Sequence, residues 1–198
     1  MAGNATEHEE FARLVMLACH DLRTPLATVL GFTQTLARLE QLGEEPASRY
    51  VEMIDAASGQ LSELVDELAL GARIEAGRYE PVRDELDTLE LVKAAAQQLG
   101  EDRVEAGGEG GTVQVDVNAT RRAVAALARC ALRHGGLERV TLTAHGQQLE
   151  LETVTAAAAP VLLGEDLRDL GAAIAVRQLR AQGSSLELDG ERLTVALA

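Results

Sequence analysis

Tryptophan is absent, and only two Phe and two Tyr occur in 198 residues. Packing must therefore rest on Leu, Val, Ile and Ala, which suits helix-rich layers, and there is no aromatic platform on which single-stranded bases could stack. Positive charge is also scarce: 18 Lys and Arg stand against 32 Asp and Glu, a formal net charge of −14. Nucleic acid and anionic membrane surfaces both require a basic footprint, so neither is expected as a partner and proteins are. The two cysteines, Cys19 and Cys130, lack metal or redox spacing and the four histidines are scattered, so neither a disulfide framework nor a metal cluster is expected. No apolar run approaches the ~20 residues of a membrane span. The polar start MAGNATEHEE has no signal-peptide character, and a cytoplasmic protein without an input or sensor segment is expected.

The chain does have an apolar content of 46%, enough to bury one ordinary core or two small ones. Helical periodicity runs over residues 7–42 and stops at the punctuation GEEP, residues 43–46. A second helical pattern covers about 47–76, with Val51, Ile54, Leu61, Leu64, Val65 and Leu68 at helical spacing. Two amphipathic helices cannot cover their own apolar stripes in water, so the hairpin is expected to form a dimeric four-helix bundle. After Gly77 the texture shortens: YEPVR (79–83) reads as an edge strand, 86–99 as a helix, EAGGEGG (105–111) as a flexible loop and GTVQVDV (111–117) as a strand. A helix over 118–134 comes next, with Asn118 as its N-cap, then two strands within 139–154 and a helix over about 165–182. The chain closes on a hairpin, SLELDGERLTVAL, turned at Asp189-Gly190. The expected fold class is α+β, with a helical hairpin over 1–77 and a small α/β sandwich over 78–198.

Within the first helix, ACHDLRTPLATVLGF sets His20 beside Asp21, with Pro25 one turn on. At about 100° per residue, Thr24, Ala27, Gly31 and Gln34 share the face of His20. Phe11, Leu14, Val15, Ala18, Leu22, Leu26, Val29, Phe32 and Leu36 form an apolar stripe on the other side. A lone histidine in a helix is most often a packed or inert residue. A place on a polar stripe of a helix otherwise committed to a bundle favours an exposed nucleophile or a docking residue. Pro25 removes a backbone donor inside the helix, at ~3 kcal/mol unless context compensates, a cost that a purely structural helix rarely keeps.

The run His20-Asp21-Leu22-Arg23-Thr24-Pro25-Leu26 resembles the H-box of HisKA-type sensor histidine kinases: His, acid, apolar, Arg, Thr or Asn, Pro, Leu. Arg73-Ile74-Glu75-Ala76-Gly77 is similar to the segment that closes that family's dimerisation hairpin, and residues 78–198 resemble its ATPase-like (Bergerat-type) domain in element order. The resemblance implies that His20 is a phosphoacceptor, Asp21 its acid–base partner, and Thr24 the residue that orients water when the helix dephosphorylates a partner. Such chemistry needs one imidazole nitrogen free as nucleophile while the other shares its proton. Arg23 would contact phosphate or carboxylate or simply be solvated. Ala27, Gly31 and Gln34 would continue a docking face for response-regulator receiver domains, and Met16 and Leu17 would extend it or contact the second domain. A homodimer is implied as well.

The resemblance implies an ATP site too, and there the sequence departs from it. In NATRRAVAALARCALRHGG the positions expected to carry the two magnesium-binding asparagines hold Ala126 and Cys130. Where an Asp-x-Gly-x-Gly loop should come after LELETV, residues 155–160 read TAAAAP, and of the final glycine loop only Gly171 remains. No basic, Gly-rich phosphate cradle is present. The expectation is a degenerate ATPase-like domain with no cofactor of its own, magnesium entering only through a response-regulator partner. The leading reading is a histidine phosphotransferase of a two-component phosphorelay. The alternatives are a non-catalytic scaffold that docks response regulators, an activity that dephosphorylates a partner through Asp21 and Thr24, and a divergent ATP-dependent kinase.

Overall fold

The computed structural model describes residues 2–38 and 44–198. It divides into two compact units, Met1–Ala69 and Leu70–Ala198.

The first unit is built from helix α1 (Ala2–Arg38) and the greater part of helix α2 (Glu44–Glu75). Two N-terminal helices followed by a sheet domain is the α+β order read from the sequence. The expected end of the first helix at Leu42, and Gly43 of the punctuation, lie outside the described residues. Pro46 falls in the first turn of α2 instead of a loop, where the amides have no helical acceptor and a missing N–H costs nothing. On α1, Leu14, Ala18 and Pro25 are buried along the face from which Phe32 stacks on Tyr50 of α2, ring centroids 5.3 Å apart. Two of the four aromatic side chains thus pin the hairpin. The stop of α2 is a glycine device: Gly77 takes φ 63, its N–H donates to Ile74 O at 2.9 Å, and the Arg78 N–H donates to Arg73 O at 2.8 Å. That left-handed turn satisfies the last carbonyls of the helix. No described helix is long and apolar enough to cross a membrane.

The second unit carries a five-stranded sheet in the order β2-β4-β5-β7-β6, with helices α3 (Thr88–Leu99), α4 (Val117–Gly135) and α6 (Leu170–Ala181) as its other layer. Strands β2 (Val104–Gly110) and β4 (Val140–Gly146) run parallel; β4, β5 (Gln148–Glu152), β7 (Arg192–Ala196) and β6 (Ser185–Asp189) pair antiparallel. Leu142, Ala144, Leu149, Leu151, Leu193 and Val195 alternate inward against Val124, Leu127 and Val176, so one sheet face carries the core. A two-stranded ribbon, β1 (Asp84–Asp87) with β3 (Thr112–Val115), forms a second sheet whose Leu86, Val113 and Val115 join the same core.

Several sequence expectations are corrected here. The segment EAGGEGG is not a loop: it makes up nearly all of β2, paired in register with 140–146. Gly108 is required by proximity, since a Cβ there, at φ 102, would fall on the carbonyl of Ala144. YEPVR is not a strand, and the first strand begins at Asp84. Pro81 has no N–H to give a ladder, and side chains hold the segment instead. The Tyr79 hydroxyl donates to Asp116 Oδ2 at 3.2 Å, and the Arg83 guanidinium donates to the carbonyls of Gln114 and Gln182 at 3.2 and 2.7 Å. The N-cap of α4 is Asp116, not Asn118: its Oδ1 accepts from the Ala119 N–H at 3.1 Å. Helix α6 begins at Leu170, five residues later than 165 would place it, because Asp169 caps it. The final hairpin turns on Gly190 and Glu191, with Asp189 paired to Arg192.

Candidate functional site

His20 projects from α1 with its side chain 78% exposed, and its Nδ1 stands 3.1 Å from Oδ1 of Asp21, a side chain only 16% exposed. Adjacent helical residues point about 100° apart, so Asp21 leans into the hairpin while its carboxylate reaches back to the ring. An imidazole that donates its Nδ1–H to that carboxylate carries its lone pair on Nε2, turned to solvent. The pair thus offers a nucleophilic nitrogen with a base behind it.

The rest of the face is open as the helical spacing requires. Arg23, Thr24, Ala27, Gly31 and Gln34 are all exposed, and a Cβ added to Gly31 would meet nothing within 4 Å. The carbonyl of Thr24 accepts from the Thr28 hydroxyl at 3.1 Å, a bond that ties the turn after His20 without using the Thr24 hydroxyl. Pro25 is buried on the seam side, and its missing N–H is the one that would have met the carbonyl of Asp21. Met16 is 64% exposed and Leu17 half-buried beside the same face.

The apolar stripe read as one band from the sequence splits in two. Of its residues Leu14 and Ala18 are buried while Leu26 stays 48% exposed; Leu30, outside that stripe, is 52% exposed, and Val51 and Val65 of α2 are 56% and 54% exposed. One partner helix covers only part of the arc.

In the second unit the positions where an ATP site was sought are packed. Ala126 and Cys130 are buried on α4, at 7% and 0% exposure. The TAAAAP run turns into a one-turn helix α5 (Ala159–Leu162), whose neighbourhood buries Ala158, Val161 and Leu162 next to α4 and α6. Gly171 is half-buried in the first turn of α6. Cys130 is not isolated, however. His134 lies one turn further along α4, and its Nε2 is 3.1 Å from Oδ2 of Asp169, the residue that caps α6. Burial and the charge of Asp169 push the Cys130 thiol up to about 12. The Cys-x-x-x-His spacing on one helix was visible in the sequence, but nothing there joined Asp169 to it.

Comparison with known proteins gives a consistent result. Residues 12–77 match the His Kinase A (phospho-acceptor) domain. Over 172 residues the chain is 34% identical to histidine protein kinase DivJ of Caulobacter vibrioides, covering 81% of this chain and 28% of that protein. It is 26% identical over 179 residues to an uncharacterized sensor-like histidine kinase of Rhizobium meliloti, covering 86% of this chain and 32% of that one. The chain therefore spans less than a third of the length of the curated relatives it matches. Among solved structures, Acinetobacter baumannii histidine kinase AdeS superposes with a TM-score of 0.63 at 17% identity, over 90% of this chain and 97% of that one. Full-length ShkA in complex with AMPPNP gives 0.59 at 24% identity, over 94% and 46%.

Proposed function

We propose, from the match of residues 12–77 to the His Kinase A phospho-acceptor domain and from a fold shared with a histidine kinase structure, that this chain works as a histidine phosphotransferase without ATP. Nε2 of His20 attacks the phosphorus of an aspartyl phosphate on a response-regulator receiver domain. The P–O bond to that aspartate breaks, the carboxylate leaves, and an N–P bond forms. Asp21 takes up the positive charge that develops on the ring by accepting the Nδ1–H more strongly. The reverse reaction delivers the group to a second receiver aspartate, and magnesium enters with the receiver.

The observation that carries this reading is the contrast between the two units. His20 is exposed on a face of small and polar residues with Asp21 behind it, while Ala126, Cys130 and Ala158 put buried apolar side chains at positions where the family is expected to carry metal ligands and a nucleotide loop. Arg23 serves the phosphate, and Thr24 orients water when the phosphoryl group is hydrolysed instead of passed on. Ala27, Gly31 and Gln34 let the receiver approach closely. Pairing of two hairpins into a four-helix bundle is supported by Leu26, Leu30, Val51 and Val65, which one chain leaves half exposed.

The test is transfer from a labelled phospho-receiver domain to the purified chain. His20→Ala removes the nucleophile and is expected to abolish labelling, whereas a mutant that labels as well as the parent refutes the proposal. A second reading, a divergent ATP-dependent kinase, has one observation in its favour: 34% identity to a histidine protein kinase.

A further inference from the structure

Cys130 and His134 stand one turn apart on α4, and Asp169 opens α6, which packs along α4. Sγ of Cys130, an imidazole nitrogen of His134 and a carboxylate oxygen of Asp169 all lie within 4.8 Å of one another. Cys130 is fully buried, and the side chains of His134 and Asp169 are 15% and 12% exposed. We propose that these three residues bind one divalent ion of the zinc class, which clamps the second half of α4 to the start of α6.

The donor set fits such an ion. Thiolate, imidazole and carboxylate together are what a borderline-soft metal takes, with water in the fourth position. His134 Nε2 and Asp169 Oδ2 are 3.1 Å apart, against an edge of about 3.4 Å in a tetrahedron with bonds of ~2.0–2.1 Å. A sulfur-to-nitrogen edge is about 3.6 Å, so the widest pair, within 4.8 Å, closes by about 1.2 Å at most. Two anions and a neutral ring cancel the charge of a divalent ion, which a site this enclosed needs. The second oxygen of Asp169, Oδ1, already accepts from the Ala172 N–H at 3.0 Å and so holds the carboxylate in place. Partial exposure of His134 and Asp169 leaves a path for the ion and for the water.

A histidine–aspartate pair alone would explain two of the three residues. It leaves out the buried sulfur, whose Sγ lies within 4.8 Å of the same carboxylate and imidazole. A cation between them would take all three donors at once. On binding, the S–H bond of Cys130 breaks, its proton passes to solvent and the sulfur gives its electron pair to the ion. His134, whose Nε2–H donates to Asp169 in the metal-free chain, shifts that proton to Nδ1 through solvent and gives the Nε2 pair, Asp169 binds as the carboxylate, and nothing is oxidised or reduced.

The test uses the full chain, stripped with a chelator, titrated with Co2+ alone and then with Zn2+. Expected are one equivalent bound, an intense sulfur-to-cobalt charge-transfer band, displacement by Zn2+, and close to one proton released per ion, read from calorimetry in buffers of different ionisation enthalpy. Cys130→Ala should erase the charge-transfer band. His134→Gln, and Asp169→Asn, which keeps the helix cap, should each weaken Zn2+ binding at least ~100-fold, with folding checked by circular dichroism. A cobalt spectrum without the sulfur band, one unchanged in Cys130→Ala, or equal Zn2+ affinity across parent and variants overturns the site. Because the readout is metal binding, its failure leaves the chemistry of His20 untouched.

Discussion

The half-exposed apolar residues of the hairpin give the clearest test of how it assembles, and Leu30→Glu is the perturbation that presses hardest on them. Leu30 is 52% exposed in the single chain, one turn from Leu26 at 48%. Burying the remaining half of a leucine side chain contributes ~1 kcal/mol, and in a symmetric pair each position counts twice, so the substitution forfeits ~2 kcal/mol of burial. Two carboxylates brought to the seam add a desolvation cost of at least ~1 kcal/mol in total, even where they tilt toward water. The sum, ~3 kcal/mol, corresponds to a dissociation constant raised roughly 100-fold. Glutamate is a good helix former, so the helix itself should persist. Sedimentation equilibrium over a concentration series is the assay, with Gln34→Glu on the exposed face of α1 as the control that should change little. If Leu30→Glu associates as tightly as the parent, the four-helix pairing through this arc is wrong.

Gln182, 1% exposed, accepts from the Asp116 N–H at 2.6 Å and donates to the Thr120 hydroxyl at 3.1 Å. Gln182→Leu strands that buried amide and should cost ~2–3 kcal/mol, seen as a urea midpoint lowered by about 1 M; a midpoint within experimental error of the parent contradicts the network. The two thiols should separate in reactivity, since Cys19 is exposed while Cys130 is buried with its thiol pushed up to about 12. A raised thiol stays protonated at pH 8, so a thiol reagent should modify one cysteine quickly and the other only on unfolding; two fast equivalents in the native chain would refute this.

The H-box face was legible because a helix converts spacing into direction. Counting about 100° per residue from His20 picked out Thr24, Ala27, Gly31 and Gln34, and all are exposed. The same counting found the apolar stripe but could not divide it, since only the hairpin's packing decides that Ala18 is covered and Leu26 is not. EAGGEGG misled because its composition describes a chain without a partner: in place, Gly108 lets β2 lie against β4, a contact made over a long sequence separation. YEPVR misled for the opposite reason, being held by the side chains of Tyr79 and Arg83 and not by a ladder. Asp169 joins Cys130 and His134 only through the packing of α6 on α4, and no local pattern announces that.

What is proposed for His20 is exchange of phosphoryl groups with aspartates and not with ATP. It is tested most directly by offering the full chain two labelled donors side by side, γ-labelled ATP with magnesium and a labelled phospho-receiver domain, each repeated with His20→Ala. Acid-labile label is expected from the receiver alone and absent in the mutant. Label from ATP that depends on His20 would contradict it, and would make this chain a working kinase whose nucleotide site is built without the expected ligands.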